Sequence, residues 1–264
     1  MPFILGTTGE SASLPVELKK DYLQLAAKLK QPGTLLYAGI SSNCLQESID
    51  LAKQSFDAGV DVVATTLPSY YALTEYQMIT YFEDLAEAVT GPLIIYNIPA
   101  TTHMSIPLNI IDTLSHHPNI VGCKDSERSE ERLKRSIELW QHRDDFSHFV
   151  GWAAKSAEAL LHGSGLIPST GNLYPKVYHE MLLAAQNKET EKVYRLQKLS
   201  DVLGNLYQAE RTLGESLWAL KFVMKQVGLC EAYVMPPLQP MTGDEENKLK
   251  KELQEIMIAE NIKF

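Results

Sequence analysis

Short apolar runs alternate with amphipathic segments along the first two thirds of the chain, and this alternation constrains the fold more than any other feature. The runs are Phe3–Leu5, Leu35–Ala38, Val60–Thr65, Leu93–Tyr96, Ile120–Lys124, His148–Gly151 and Leu166–Ser169. Each is too short for a helix and is rich in the apolar and β-branched residues of a buried strand. Between them, Leu18, Tyr22, Leu25 and Leu29 recur at helical spacing, as do Ile49, Ala52 and Phe56 before a C-capping Gly59. Thr74, followed by Glu75 and Gln77, is a plausible N-cap for a third helix. Strands and helices that repeat roughly every 25–30 residues imply βαβ units and a parallel sheet.

Beyond Ser169 the pattern changes. Residues from about Tyr174 to Gly228 read as helices only, and a break at Pro236, Pro237 and Pro240 precedes a charged helix from about Asp244 to Glu260. The expected organisation is a (β/α) body over residues 1–172. A helical region over 173–264 would pack on it. An open doubly wound sheet and a closed (β/α)8 barrel both accommodate the runs, but the barrel needs eight strands. The first run starts almost at Met1, so on the barrel reading the first βα unit is missing from this sequence.

The chain has 264 residues, 45% hydrophobic, and a net charge of −9. That balance argues against a nucleic-acid binder, which normally carries a basic patch. No apolar stretch reaches the ~20 residues of a membrane span, and no signal-peptide pattern opens the chain. The three cysteines, Cys44, Cys123 and Cys230, are scattered and form no C-x-x-C pair. These features lead us to expect a cytoplasmic soluble protein without a zinc site or disulfide framework.

Chemistry-bearing residues collect where the strands end. Gly6-Thr7-Thr8-Gly9-Glu10 follows the first run and Pro68-Ser69-Tyr70-Tyr71 the third. Tyr96-Asn97 ends the fourth, Lys124-Asp125-Ser126 the fifth, Gly151-Trp152 the sixth and Ser169-Thr170-Gly171-Asn172 the seventh. Active sites of parallel α/β proteins form along that edge. Desolvation favours the neutral, nucleophilic form of an amine, so Lys124 at the end of a core strand is a candidate to attack a carbonyl. Tyr96 at the equivalent end of the neighbouring run supplies a proton shuttle. Amine and phenol together suggest catalysis through a Schiff base.

Other motifs have blander readings. Gly163-Ser164-Gly165 precedes a strand rather than a helix and reads as a turn. His116-His117 lies before Pro118 at a helix end, and His179-Glu180 lacks the second histidine of a zinc-protease helix. The mixed charges of Glu127 through Arg135 read as a solvated helix face. Cys123 alternates with Lys124 and is expected on the opposite, core side.

The ordered set GTTGES, Pro-x-Tyr, YNIP and GxKDS resembles the N-acetylneuraminate lyase and dihydrodipicolinate synthase superfamily, from Gly6 to about Asn172. The helical tail is similar too. That resemblance implies a TIM barrel and a class I pyruvate-dependent aldolase chemistry. By motif, Lys124 would form the Schiff base and Tyr96 would move protons. Thr8 would link Tyr96 to a tyrosine, Tyr70, lent by a neighbouring subunit. Thr7 and Thr8 would hold the 2-oxo acid carboxylate, with Gly151, Ser169 and Thr101 also at the substrate. No cofactor is implied, and a homo-oligomer, a dimer or dimer of dimers, is.

The departures concern substrate. Dihydrodipicolinate synthases carry an arginine where this chain has Thr101, and sialic acid lyases carry an acidic pair where it has Ala153 and Ala154. Lys-Asp-Ser resembles members acting on 2-keto-3-deoxy sugar acids or on a hydroxy-oxo acid, with His103 or Trp152 near the aldehyde part. The expected activity is a 2-oxo acid lyase. A dehydratase of the same fold, a synthase-like enzyme and a non-catalytic binding relative are the alternatives.

Overall fold

The computed structural model describes residues 1–264. The chain divides into two compact units, the first comprising residues 1–152 with 162–167, the second residues 153–161 with 168–264.

The first unit is built on a seven-stranded sheet whose strands lie in sequence order, every neighbouring pair parallel. The strands are β1 (Phe3–Ile4), β2 (Tyr37–Gly39), β3 (Val62–Thr65), β4 (Leu93–Asn97), β5 (Ile120–Asp125), β6 (Ser147–Val150) and β7 (Gly165–Leu166). The helices between them are α1 (Val16–Leu29), α2 (Leu45–Ala58), α3 (Glu75–Ala88), the short α4 (Pro99–Thr102), α5 (Leu108–Leu114) and α6 (Glu130–Trp140). All seven expected strands are present, with ends shifted by a few residues. The largest change is in β7, which stops at Leu166. Pro168 has no N–H to give a ladder, and Ser169 enters a 3-10 turn of the second unit instead.

Parallel strands flanked by helices bury both faces. One face of the sheet packs Leu93, Ile95, Ile120 and Cys123 against Phe82, Leu85 and Ile111 of the helices. The other face gathers Tyr37, Val62, Ala64 and Ile94 with Phe3, Val121 and Phe149. Side chains from distant strands meet on this second face. Tyr37 of β2 contacts Phe149 of β6 edge-to-face at 6.0 Å, and Phe3 of β1 contacts Tyr96 of β4 at 6.1 Å. The sheet therefore curls in the manner of a (β/α) barrel, and the inner face is concave.

The ladder between β4 and β5 is irregular. Leu93 pairs with Ile120, but Ile94 pairs with Gly122, so β5 carries one extra residue at Val121–Gly122. Side chains alternate along a strand, so Ile120 on the helix side would put Lys124 there too. The extra residue reverses the parity, and Lys124 faces inward with Tyr96 as its register partner. Gly122 is required at this point because a Cβ would collide with the carbonyl of Ser147 on β6.

Local signals are realised where expected. Thr74 and Gln77 form a reciprocal capping box on α3, and Gly59 ends α2 in the left-handed region at φ 99°. The stripe Leu18, Tyr22, Leu25 and Leu29 of α1 is exposed, whereas Leu23 enters the core and Lys19 is buried.

His148 on β6 is buried, with Nδ1 2.9 Å from Ser164 Oγ and its ring 5.3 Å from that of Trp140. Burial lowers its pKa to about 4. The unfolded chain takes up this proton near pH 6.5, the native protein only near pH 4. Stability is therefore full above 6.5 and falls as pH drops toward 4, by roughly 3 kcal/mol. Urea denaturation across that range should show the loss in the wild type and a flatter profile for His148→Asn. Equal slopes would remove His148 from the account.

The second unit is helical: α7 (Ser156–Leu161), α8 (Pro175–Gln186), α9 (Thr190–Gln208), α10 (Leu213–Gln226) and α11 (Gly243–Ala259). Its core joins Leu203, Tyr207, Trp218, Phe222, Leu249 and Leu253. The proline-rich break falls between α10 and α11, as the composition implies. No helix is long and apolar enough to cross a membrane.

Candidate active site

Lys124 and Tyr96 occupy one rung of the β4–β5 ladder and face the concave side. The Lys124 side chain belongs to a buried residue, 7% exposed, and Tyr96 is 5% exposed. The amine lies 4.1 Å from the centroid of the Tyr96 ring and 4.7 Å from that of Phe3. Phe3 and Tyr96 are nearly perpendicular, at 70°, and form an aromatic slot for the ammonium. No sequence motif marks Phe3. Its role depends on the curl of the sheet, which carries β1 across to β4 and β5.

The Tyr96 hydroxyl is 3.2 Å from Thr7 Oγ1. Thr7, where Thr8 was expected, is therefore the threonine on the phenol. The two follow one another in a turn closed by Glu10 N–H donating to the Thr7 carbonyl, and Thr7 is the one nearer the strand end. Thr8 is half-buried in the same turn. Burial by itself would raise the Tyr96 pKa. The positive charge of Lys124 and hydrogen bonds with Thr7, Lys124 and Ser126 outweigh it and hold the phenol below its ordinary value.

Ser126 is thus a further member of the cluster. Its position is fixed by Gly151 at the end of β6, where a Cβ would collide with the Ser126 hydroxyl. The Gly151 N–H also donates to the Asp125 carbonyl at 2.7 Å. Backbone contact is the role the geometry gives Gly151.

The remaining expected residues are more dispersed. Thr101 sits on α4 with its hydroxyl turned to the Ile98 carbonyl at 3.3 Å. Tyr70 is 77% exposed, its ring against Tyr71 at 4.9 Å. Asn43 holds that loop by accepting the N–H groups of Ser69 and Tyr70 at 2.8 and 3.1 Å. Ser169 belongs to the second unit, where its hydroxyl and that of Thr170 meet the Tyr207 hydroxyl at 2.7 and 3.0 Å.

Glu127 and Arg132 do not form the solvated face expected of residues 127–135. Arg132 Nε donates to Asp125 Oδ2 at 2.6 Å and lies 3.4 Å from Glu127. Asp125 is buried at the strand end, and a buried carboxylate needs a counter-charge, which draws the arginine in.

The chain belongs to the dihydrodipicolinate synthetase family, whose profile matches residues 3–256. A 4-hydroxy-tetrahydrodipicolinate synthase of Methanosarcina mazei is 27% identical over 257 residues, covering 97% of this chain and 86% of that protein. The dihydrodipicolinate synthase of Bacteroides thetaiotaomicron superposes with a TM-score of 0.88 at 29% identity, covering 96% of this chain and 86% of that one. YagE, a prophage protein of the dihydrodipicolinic acid synthase family from E. coli K12 solved with pyruvate, superposes with a TM-score of 0.89 at 26% identity, over 96% and 86% of the two chains.

Proposed function

We propose that this protein is a Schiff-base lyase of the class I aldolase type, acting on a pyruvate-type 2-oxo acid. The observation that carries this reading is the buried Lys124 amine against the Tyr96 phenol, which is itself bonded to Thr7. The pyruvate complex of the related YagE supports the donor class.

In the first step the neutral Lys124 amine adds to the C2 carbonyl. The carbinolamine oxygen takes a proton from solvent and leaves as water, which gives an iminium. In the cleavage direction ionised Tyr96 accepts the proton of the C4 hydroxyl. The C3–C4 bond breaks, its electron pair flows into the iminium, and an aldehyde departs. Tyr96 returns that proton to C3 of the enamine, and water adds to the resulting iminium to release the 2-oxo acid, the free amine and one proton to solvent. Thr7 and Ser126 hold the phenol oxygen throughout, and neither metal nor organic cofactor takes part in these steps. Thr7 and Thr8 hydroxyls and turn N–H groups serve the carboxylate.

Thr101 presents no positive charge for a second carboxylate, which favours a neutral hydroxylated aldehyde, as in a 2-keto-3-deoxy sugar acid or a hydroxy-oxo acid. The synthase names of the curated relatives support the competing reading, condensation with a carboxylated partner. Product analysis after incubation with each class separates the two. In a homodimer or dimer of dimers, exposed Tyr70 would reach the partner subunit and complete a relay through Thr7.

The closed eight-stranded barrel belongs to the same reading. β1 pairs only with β2, β7 only with β6, and α1 exposes Leu18, Tyr22, Leu25 and Leu29. An additional βα unit would pair with the free edges and cover that stripe. Fusing such a unit from a relative ahead of β1 should raise the melting temperature and suppress dye binding to the stripe. An unchanged melting temperature speaks against closure there.

A further inference from the structure

On the side of the sheet opposite the reacting pair, Asn97 and Asp125 form the next rung of the same ladder. Asn97 Nδ2 donates to Asp125 Oδ1 at 2.9 Å and to Glu127 Oε2 at 3.0 Å. Asp125 Oδ1 also accepts the Glu127 N–H at 3.0 Å, and Oδ2 accepts Arg132 Nε at 2.6 Å. Both remaining arms reach the loop between α4 and α5. Asn97 Oδ1 accepts the Ile106 N–H at 3.1 Å, and Arg132 Nη2 donates to the Ile106 carbonyl at 2.8 Å. Ser105 donates to Glu127 at 2.6 Å.

We propose that Asn97, Asp125 and Arg132 are positioning residues: a strut behind the sheet that fixes the Lys124 amine against the Tyr96 phenol and clamps the loop of Ser105 and Ile106 that follows α4. Three observations converge. The strut residues directly follow the reacting residues on both strands, so neither pair can move without the other. The ladder they terminate contains the extra residue at Val121–Gly122, so regular pairing alone does not hold its register. The network is also buried and charged, with Asp125 and Arg132 side chains 8% and 10% exposed. Apolar replacement of such a pair is often neutral or stabilising, so stability is a weak explanation for it and geometry a stronger one.

The inference rests on the Schiff-base reading, and the test separates them. Wild type, Asn97→Ala and Arg132→Lys are compared for borohydride trapping of pyruvate at Lys124 and for steady-state turnover. Melting temperature establishes that each is folded. Misplacement by about 1 Å can cost roughly 100-fold, and Asn97→Ala should lose that in kcat and in trapping rate with KM for pyruvate little changed. Arg132→Lys retains the counter-charge for Asp125 but lacks the guanidinium fork. It should lower kcat about 10-fold, less than the full misplacement. Wild-type kcat and trapping in a folded Asn97→Ala protein, even one with a lowered melting temperature, would overturn the strut. If that variant fails to fold, wild-type kcat in Arg132→Lys does the same. Absence of trapping in the wild type itself sinks the Schiff-base reading and the inference with it.

Discussion

Incubation with pyruvate and borohydride is expected to convert one lysine, Lys124, to its N-(1-carboxyethyl) derivative, and to inactivate the protein in step. Reduction turns the imine into a stable secondary amine on the protein, so the adduct reports the covalent intermediate directly. Peptide mass spectrometry locates it. Lys124→Ala should show no adduct and no turnover above background, because nothing else in the aromatic slot of Phe3 and Tyr96 can act as the amine. Lys124→Arg should be equally inactive, since guanidinium keeps its proton. An adduct elsewhere, or none, removes the mechanism. The same variant checks the assembly. Mixing Lys124→Ala with Tyr70→Phe should restore part of the activity each lacks if Tyr70 serves the neighbouring subunit, and no recovery would confine the site to one chain.

Tyr96→Phe separates imine formation from proton transfer. It should remain trappable by borohydride yet lose roughly 100- to 10,000-fold in turnover, the usual weight of a positioned acid–base group. Loss of trapping in the folded variant would instead make the phenol essential to the imine. Titration of tyrosinate absorbance gives an independent reading. Tyr96 should ionise below the ordinary tyrosine value, while burial pushes Tyr178 up to about 12. In Lys124→Met the positive charge is gone, and only the hydrogen bonds with Thr7 and Ser126 still oppose the desolvation of Tyr96. Its ionisation should then move up from the wild-type position. An early-titrating phenol that survives in Lys124→Met would mean that another group sets it.

Much of this arrangement is legible in the sequence. Periodicity places the strands, and the ends of neighbouring strands place Lys124 beside Tyr96. What the sequence does not show depends on contacts between distant residues. Thr7 and Thr8 are chemically identical neighbours, and only the turn closed by Glu10 decides which meets the phenol. Arg132 looks like any charged residue of a helical run until Asp125 is seen buried beside it. The apolar spacing of α1 correctly signals a helix, yet nothing local says that the stripe remains uncovered. Ser169 follows an apolar run, but Pro168 hands it to the helical unit.

The extra residue in β5 means that the amine is aimed by counting rather than by chemistry. Whether Lys124 or its neighbours look into the concave side depends on an odd or even number of residues since Ile120. Pairing β5 with β4 residue for residue from the Leu93–Ile120 pair onward, with nothing deleted, would remove no catalytic group. Yet it would turn the helix-facing side chains Cys123 and Asp125 inward and Lys124 outward. A chain that retained every motif would then be catalytically blank. Motif matching therefore certifies this site only together with the bulge between Ile120 and Lys124.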